Sequence, residues 1–171
     1  MQASYSIRQQ LERYHAESFG WAMCCCARKE EAAKEVLQIA YLKILEGKAK
    51  FRNRSSFKTW LFSVIRFTAL DWHKRQKMLG NRTALEYLRE ESEACQQDRM
   101  IAKEINEVIK DAVSRLPGRQ YELLHLVFYH DLTIEEAAKV MEISVGSART
   151  HYKRGKLKLK EWLKCHKTEW Q

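Results

Sequence analysis

The chain has 171 residues, with 31 Lys+Arg against 22 Asp+Glu, a formal net charge of +9, and 45% hydrophobic residues. That apolar share supports a folded core and excludes a disordered chain, while one Pro and six Gly are too few for a turn-rich all-β protein. No run of about 18 apolar residues is present to cross a membrane, and the N-terminus, MQASYSIRQQLERYH, is too polar for a secretory signal. The surplus of positive charge is therefore expected in a cytoplasmic protein with a polyanionic partner.

Taken in chain order, a first helix is expected from about Tyr5 to Ala27. It contains Cys24, Cys25 and Cys26, which with Cys95 and Cys165 make five cysteines in no disulfide-like spacing, as in a reducing compartment. Three consecutive helical side chains point about 100° apart and cannot share one tetrahedral metal. No CxxC or HExxH occurs. Buried or partly buried thiols are expected, with no metal, cofactor or enzymatic role; a thiol or metal hydrolase is the weakest of the functional alternatives.

A second helix runs from about Glu30 to Glu46, with Ala33, Val36, Leu37, Ala40, Tyr41, Ile44 and Leu45 at helical spacing and Gly47 as its stop. A basic loop, GKAKFRNRS, leads into a third helix capped by Ser55 or Ser56 and reaching about Met78. At 100° per residue, Lys58, Phe62, Arg66, His73 and Lys77 share one sector of that helix, and Phe57, Leu61, Val64, Ile65, Thr68 and Trp72 the opposite one. Cations beside a flat ring suit unpaired nucleic acid. Phe62 fits core and base contact equally well, and Trp60 and Trp72 fit the core.

Residues 80–100 are polar and acidic and read as a linker. An amphipathic helix is expected over Ile101–Arg115, and another from Pro117 to about Tyr129. Thr133 then opens a capping box with Glu136. The segment TIEEAAKVMEISVGSARTHYKRGKLKLKEWL has the layout of a helix-turn-helix, with Ser144 capping the second helix and Val145, Ala148, Tyr152, Leu159 and Leu163 as its seam. Off the seam lie Ser147, Arg149, Thr150, His151, Lys153 and Arg154. Ser147, Thr150, His151 and Arg154 suit base edges, and Lys153, Lys156 and Lys158 suit phosphates.

The charge follows this division. Residues 48–77 hold nine Lys/Arg and one acid, and residues 149–167 hold eight and one. The expected fold is all-α: a helical domain over 1–79, an acidic linker over 80–100 and a helix-turn-helix domain over 101–171.

The motifs AKEVLQIAYLKIL, FRNRSSFKTWLFSVIRFTALDWHKR and LPGRQYELLHLVFYHDLTIEEAAKVMEISVGSARTHYKRGKLKL, in this order, resemble the extracytoplasmic-function branch of the bacterial sigma factors. The resemblance covers roughly residues 10–79 and 101–163. It implies a subunit that binds core RNA polymerase through Glu35, Val36, Leu37, Gln38 and Leu42. It implies that Lys48, Lys50, Phe51, Arg52, Asn53, Arg54, Lys58, Phe62, Arg66, His73 and Lys77 recognise and melt the minus-ten element. Ser147, Arg149, Thr150, His151, Lys153, Arg154 and Lys156 would read the duplex minus-thirty-five element. Family members are commonly held inactive by an anti-sigma partner or controlled in other ways. The chain departs from the family pattern at Lys34 and Ile39, at Phe67, and at Glu142, where a Gly is frequent. The alternative reading is a helix-turn-helix regulator that acts without polymerase.

Overall fold

The computed structural model describes residues 6–79 and 115–166, and every regular element among them is an α-helix. In chain order these are α1 (Ile7–Arg13), α2 (His15–Cys25), α3 (Glu30–Leu45), α4 (Phe57–Met78), α5 (Gly118–Phe128), α6 (Ile134–Met141) and α7 (Val145–His166). The linker expected over 80–100 and the helix expected over 101–115, Arg115 apart, lie outside the described residues.

The single first helix expected from the sequence is two. Ser6 and Gln9 form a reciprocal capping box at the start of α1, and the chain breaks at Tyr14 (φ −94°, ψ 10°). The break sets the Tyr14 ring against Phe57, with centroids 6.1 Å apart. α3 buries Ala32, Ala33, Val36, Leu37, Ala40 and Ile44 along one stripe. Glu30 and Glu31 complement the partial positive charge of its N-terminus. It stops before Gly47, whose φ of +72° is natural only for glycine. Of the two candidate caps for α4, Ser56 takes the role: its Oγ accepts the Thr59 N–H at 3.1 Å.

The helix-turn-helix forms as expected. Thr133 and Glu136 complete the capping box of α6, and Ser144 Oγ accepts the Ser147 N–H at 3.0 Å at the start of α7. Small residues set the helix spacing: Ala138 and Ala148 are buried between the elements. The seam of α7 differs from its expected course. Ala148 and Gly155 are buried, Val145, Tyr152 and Leu159 are half-buried, and Leu163 is exposed. The reason is a close crossing with α5, where a Cβ on Gly155 would stand 2.8 Å from Leu124 Cδ1. Beyond that crossing Leu157 and Leu163 are exposed.

The two helical units share one core. α2, α3 and α4 pack together, α5 packs on α7, and the units meet where α4 lies against α6 and α2 against α5. Trp21, Phe62, His125 and His130 fill this junction: the Phe62 ring lies 5.9 Å from Trp21 and 4.7 Å from His130, and Trp21 lies 6.0 Å from His125.

The turn from α6 to α7 passes through Glu142 in the left-handed region (φ 52°, ψ 47°), a conformation that strains an L side chain. Glu142→Gly is expected to raise stability by up to about 1 kcal/mol, the relieved strain exceeding the added unfolded-state entropy. Thermal denaturation checks this, and an unchanged or lower midpoint contradicts it.

The junction histidines make it acid-sensitive. Burial is the main cause that pushes His125 down to about 4 and His130 down to about 3. Protonation therefore favours the separated or unfolded chain. The stabilisation is complete above the ordinary histidine value and is lost as pH falls toward 4. Glu122, pushed up by burial, works in the opposite sense. The thermal midpoint of the full chain is expected to fall between about pH 7 and 5, and the double variant His125→Gln/His130→Gln to lose most of that slope. An equal slope in both proteins contradicts this assignment.

Candidate nucleic-acid interface

Three surfaces carry the residues singled out in the sequence. The first is on α3. Glu35, Gln38 and Leu42 are exposed there, whereas Val36 and Leu37 are buried and hold the helix in place. An open, largely apolar groove of about 610 Å³ runs beside these residues, lined by Phe19, Leu37, Tyr41, Leu42 and Leu45 among others. Leu42 and Leu45 are about half exposed, at 49% and 55%. Lys34 bonds to Glu30 at 2.8 Å and Glu31 at 3.2 Å, so its charge is matched within its own helix.

The second surface is the loop before α4 together with α4 itself. Lys48, Lys50, Arg52, Asn53, Arg54 and Lys77 are exposed. Lys48 pairs with Glu46 at 2.6 Å, and Asn53 takes a positive φ of 52° that turns the basic loop. Phe51 is anchored rather than free. Its ring lies 5.4 Å from Phe57 and 5.2 Å from Trp60, so it props the loop from below.

Four residues expected on the open face of α4 stand elsewhere. His73 is buried, and its Nε2–H donates to the Cys25 carbonyl at 2.9 Å. Desolvation lowers its affinity for a proton. Phe62 is fully buried in the junction. Lys58 ion-pairs with Glu17 and donates to the His130 carbonyl at 2.7 Å. Arg66 donates to Glu122 Oε2 from Nε at 3.2 Å and from Nη2 at 3.1 Å, and reaches the Met141 carbonyl at 3.4 Å. This pair is largely sealed from water, with 13% and 10% of the two side chains exposed. Burial pushes the Glu122 carboxyl up, and Arg66 pulls it back. The helical wheel placed all four residues on one face, but Lys58, Phe62 and Arg66 pack against the C-terminal unit and His73 packs against the end of α2.

Glu122, His125 and His130 are the functional candidates that sequence reasoning missed. A weak signal existed for Glu122: it stands four residues before Leu126, hence on the buried stripe of α5. Its partner is 56 positions away, which no local pattern reveals.

The third surface is α7. Arg149, Lys153, Arg154 and Lys156 are exposed along it. Arg149 pairs with Glu135 at 3.0 Å. The Ser147 hydroxyl accepts from Ser144 at 2.9 Å, and the Thr150 hydroxyl donates back to the Gly146 carbonyl at 3.0 Å. His151 is half-buried, and desolvation lowers its proton affinity. Lys153 and Arg154 thus present the more exposed cations, and Lys156 rests over the Tyr152 ring at 5.3 Å.

The three cysteines at the end of α2 are buried thiols, as expected. Burial pushes Cys26 up to about 12 and holds Cys24 and Cys25 well above the ordinary range, which suppresses thiolate chemistry. Among the described residues no cluster of His, Cys, Asp or Glu could hold a metal ion, and no helix is long and apolar enough to cross a membrane.

Comparison with known proteins agrees with this layout. Residues 11–78 match the family model for sigma-70 region 2, and residues 106–159 match that for sigma-70 region 4. The chain is 26% identical to the RNA polymerase sigma factor YlaC of Bacillus subtilis over 77% of each chain. It is 25% identical to the ECF RNA polymerase sigma factor SigX of the same organism, over 84% of this chain and 76% of the relative. In fold it resembles the sigma factor RpoE of Bartonella quintana, solved in complex with the anti-sigma factor NepR. That likeness has a TM-score of 0.67 at 22% identity and covers 92% of this chain and 96% of RpoE. With a region 2 unit built on α2–α4, a region 4 helix-turn-helix on α6–α7, and both in the family's order, the chain belongs to the extracytoplasmic-function sigma factors, which direct RNA polymerase in transcription initiation.

Proposed function

We propose that the two basic surfaces divide promoter recognition between them and that α3 docks the protein on core RNA polymerase. The observation that carries this reading is the separation of three chemically distinct surfaces on one chain. The apolar groove at Gln38 and Leu42 suits a protein partner, since exposed leucines beside a concave surface gain from burial. The exposed cations of α7 suit the phosphates and base edges of duplex DNA. The exposed loop cations Lys48, Lys50, Arg52 and Arg54 suit the backbone of a melted strand; the same role for Lys58, Phe62 and Arg66 of α4, which pack under the C-terminal unit in this structure, rests on the resemblance to the family and on their pairing of charge with an aromatic ring. In this reading residues 1–79 form the melting domain, 80–100 the connector and 101–171 the upstream-reading domain. The protein acts in the cytoplasm as a regulatory subunit, not as a catalyst.

In vitro transcription with purified core polymerase and a genomic promoter library tests the whole reading. Selective initiation is expected only when this chain is added, and its absence overturns the assignment.

The division of labour predicts different defects. Arg154→Ala is expected to weaken binding to the upstream element and, if it contacts a phosphate, to reduce the salt slope of binding by about one. Lys58→Ala and Arg66→Ala are expected to lower permanganate reactivity of minus-ten thymines while the upstream footprint persists. Normal melting in both α4 variants contradicts the role given to α4.

A further inference from the structure

We propose that Glu135 and Arg149 form one joint base reader of the helix-turn-helix, and that it recognises a single G·C base pair of the duplex upstream element. This rests on the role proposed above for α7 and names the residues that give it sequence preference. Residues 144–160 hold six Lys/Arg and no acidic residue. A carboxylate nevertheless reaches this basic face from α6: Glu135 Oε1 accepts from Arg149 Nη2 at 3.0 Å, across the turn that joins the two helices. A hydrogen bond from its own backbone N–H and the bond from Arg149 hold the Glu135 carboxyl below the ordinary carboxylate range, so it is ionised. Glu135 has no part in the capping box of α6, which Thr133 and Glu136 complete.

An anion beside DNA repels phosphate and weakens binding to every sequence alike. An exposed ion pair also adds little to stability. What this pair supplies is direction. Arg149 lies in the N-terminal part of α7, the part of such a motif that meets base edges, and its side chain is 67% exposed. The bond to Glu135 aims its planar fork and uses only part of it. A carboxylate has about four lone-pair sites, so Glu135 can still accept a further bond. Side by side, the two residues present donor, donor, acceptor. From guanine N7 and O6 to cytosine N4, a G·C pair presents acceptor, acceptor, donor in the major groove, which is the complement. An A·T pair presents acceptor, donor, acceptor and mismatches the reader at two positions. Thr150 cannot supply the donor, because its hydroxyl is given to the Gly146 carbonyl at 3.0 Å.

The test uses holoenzyme made with the full-length wild type, Glu135→Ala, Arg149→Lys, the double variant, or Lys153→Ala for comparison. Each transcribes a template library with a randomised upstream element, and the initiated templates are sequenced. Binding to one initiated promoter is also measured over a range of salt. Both altered side chains are exposed, so the fold is expected to persist.

The wild type is expected to select one G·C pair. That selection should fall about tenfold in Glu135→Ala and in Arg149→Lys, at the same base pair, and no further when the two are combined. Arg149→Lys keeps the charge and loses the fork, so the salt slope should not change. Lys153→Ala should weaken binding to all sequences and lower the slope by about one, with selection intact. Wild-type selection in Glu135→Ala overturns the joint reader, as do losses at different base pairs in the two single variants. Tighter binding of Glu135→Ala to all sequences alike, with selection intact, also overturns it, since Glu135 is then only a repelling charge. If the wild-type holoenzyme initiates at no promoter, the sigma reading itself fails, and the reader falls with it.

Discussion

The position of α4 constrains everything else in this molecule. One side of the helix, through Leu61, Ile65 and Thr68, completes the three-helix unit with α2 and α3. The other, through Lys58, Phe62 and Arg66, lies against the C-terminal unit. A helix buried on two sides cannot bury charge without cost, so its two cations at the junction find partners: Glu17 and the His130 carbonyl for Lys58, Glu122 and the Met141 carbonyl for Arg66. The Arg66–Glu122 pair is a weak source of net stability, because desolvation offsets much of its attraction. Removing one partner is a different matter, since it strands a buried charge. The pair therefore specifies how the units meet more than it strengthens the fold.

This arrangement links packing to function. In the reading proposed for α4 the helix holds a single strand once the duplex opens, and a cationic helix with an aromatic ring would attract other polyanions at any time. Internal partners for those groups reduce that attraction. The cations of the loop and of α7 remain outside the junction, so the protein keeps a basic exterior. Charge is thus divided into an exposed part, available for steering toward DNA, and a covered part.

The junction is also tuned by what it lacks. Both ring nitrogens of His130 and Nδ1 of His125 are buried without a hydrogen-bond partner, so these rings behave as flat, neutral packing groups, His125 against Trp21 and His130 edge-on to Trp21 and Phe62. Their proton affinity is lowered mainly by burial, to which Arg28 adds repulsion at His125, and His125 and Lys58 add it at His130. The adjacent thiols share this dry environment. The three consecutive cysteines, expected from the sequence as buried or partly buried thiols, are small apolar fillers at the end of α2.

Much of this protein was legible in one dimension. Helical spacing identified α3 and α4. Thr133 marked one helix start, Ser55 or Ser56 another, and Gly47 a stop, because caps and left-handed turns depend on residues a few positions apart. The helix-turn-helix and the exposed cations of the basic loop and α7 follow from the same local rules. What only the tertiary structure decided is which amphipathic face meets which neighbour. The wheel of α4 set Phe62 and Arg66 apart from the apolar stripe, and locally that is right; their burial comes from α5 and α6, joined to α4 across a long separation in sequence. The break at Tyr14 and the seam at Gly155 were hidden for the same reason. Each answers to a contact, Phe57 in one case and Leu124 in the other, that exists only once distant segments have packed.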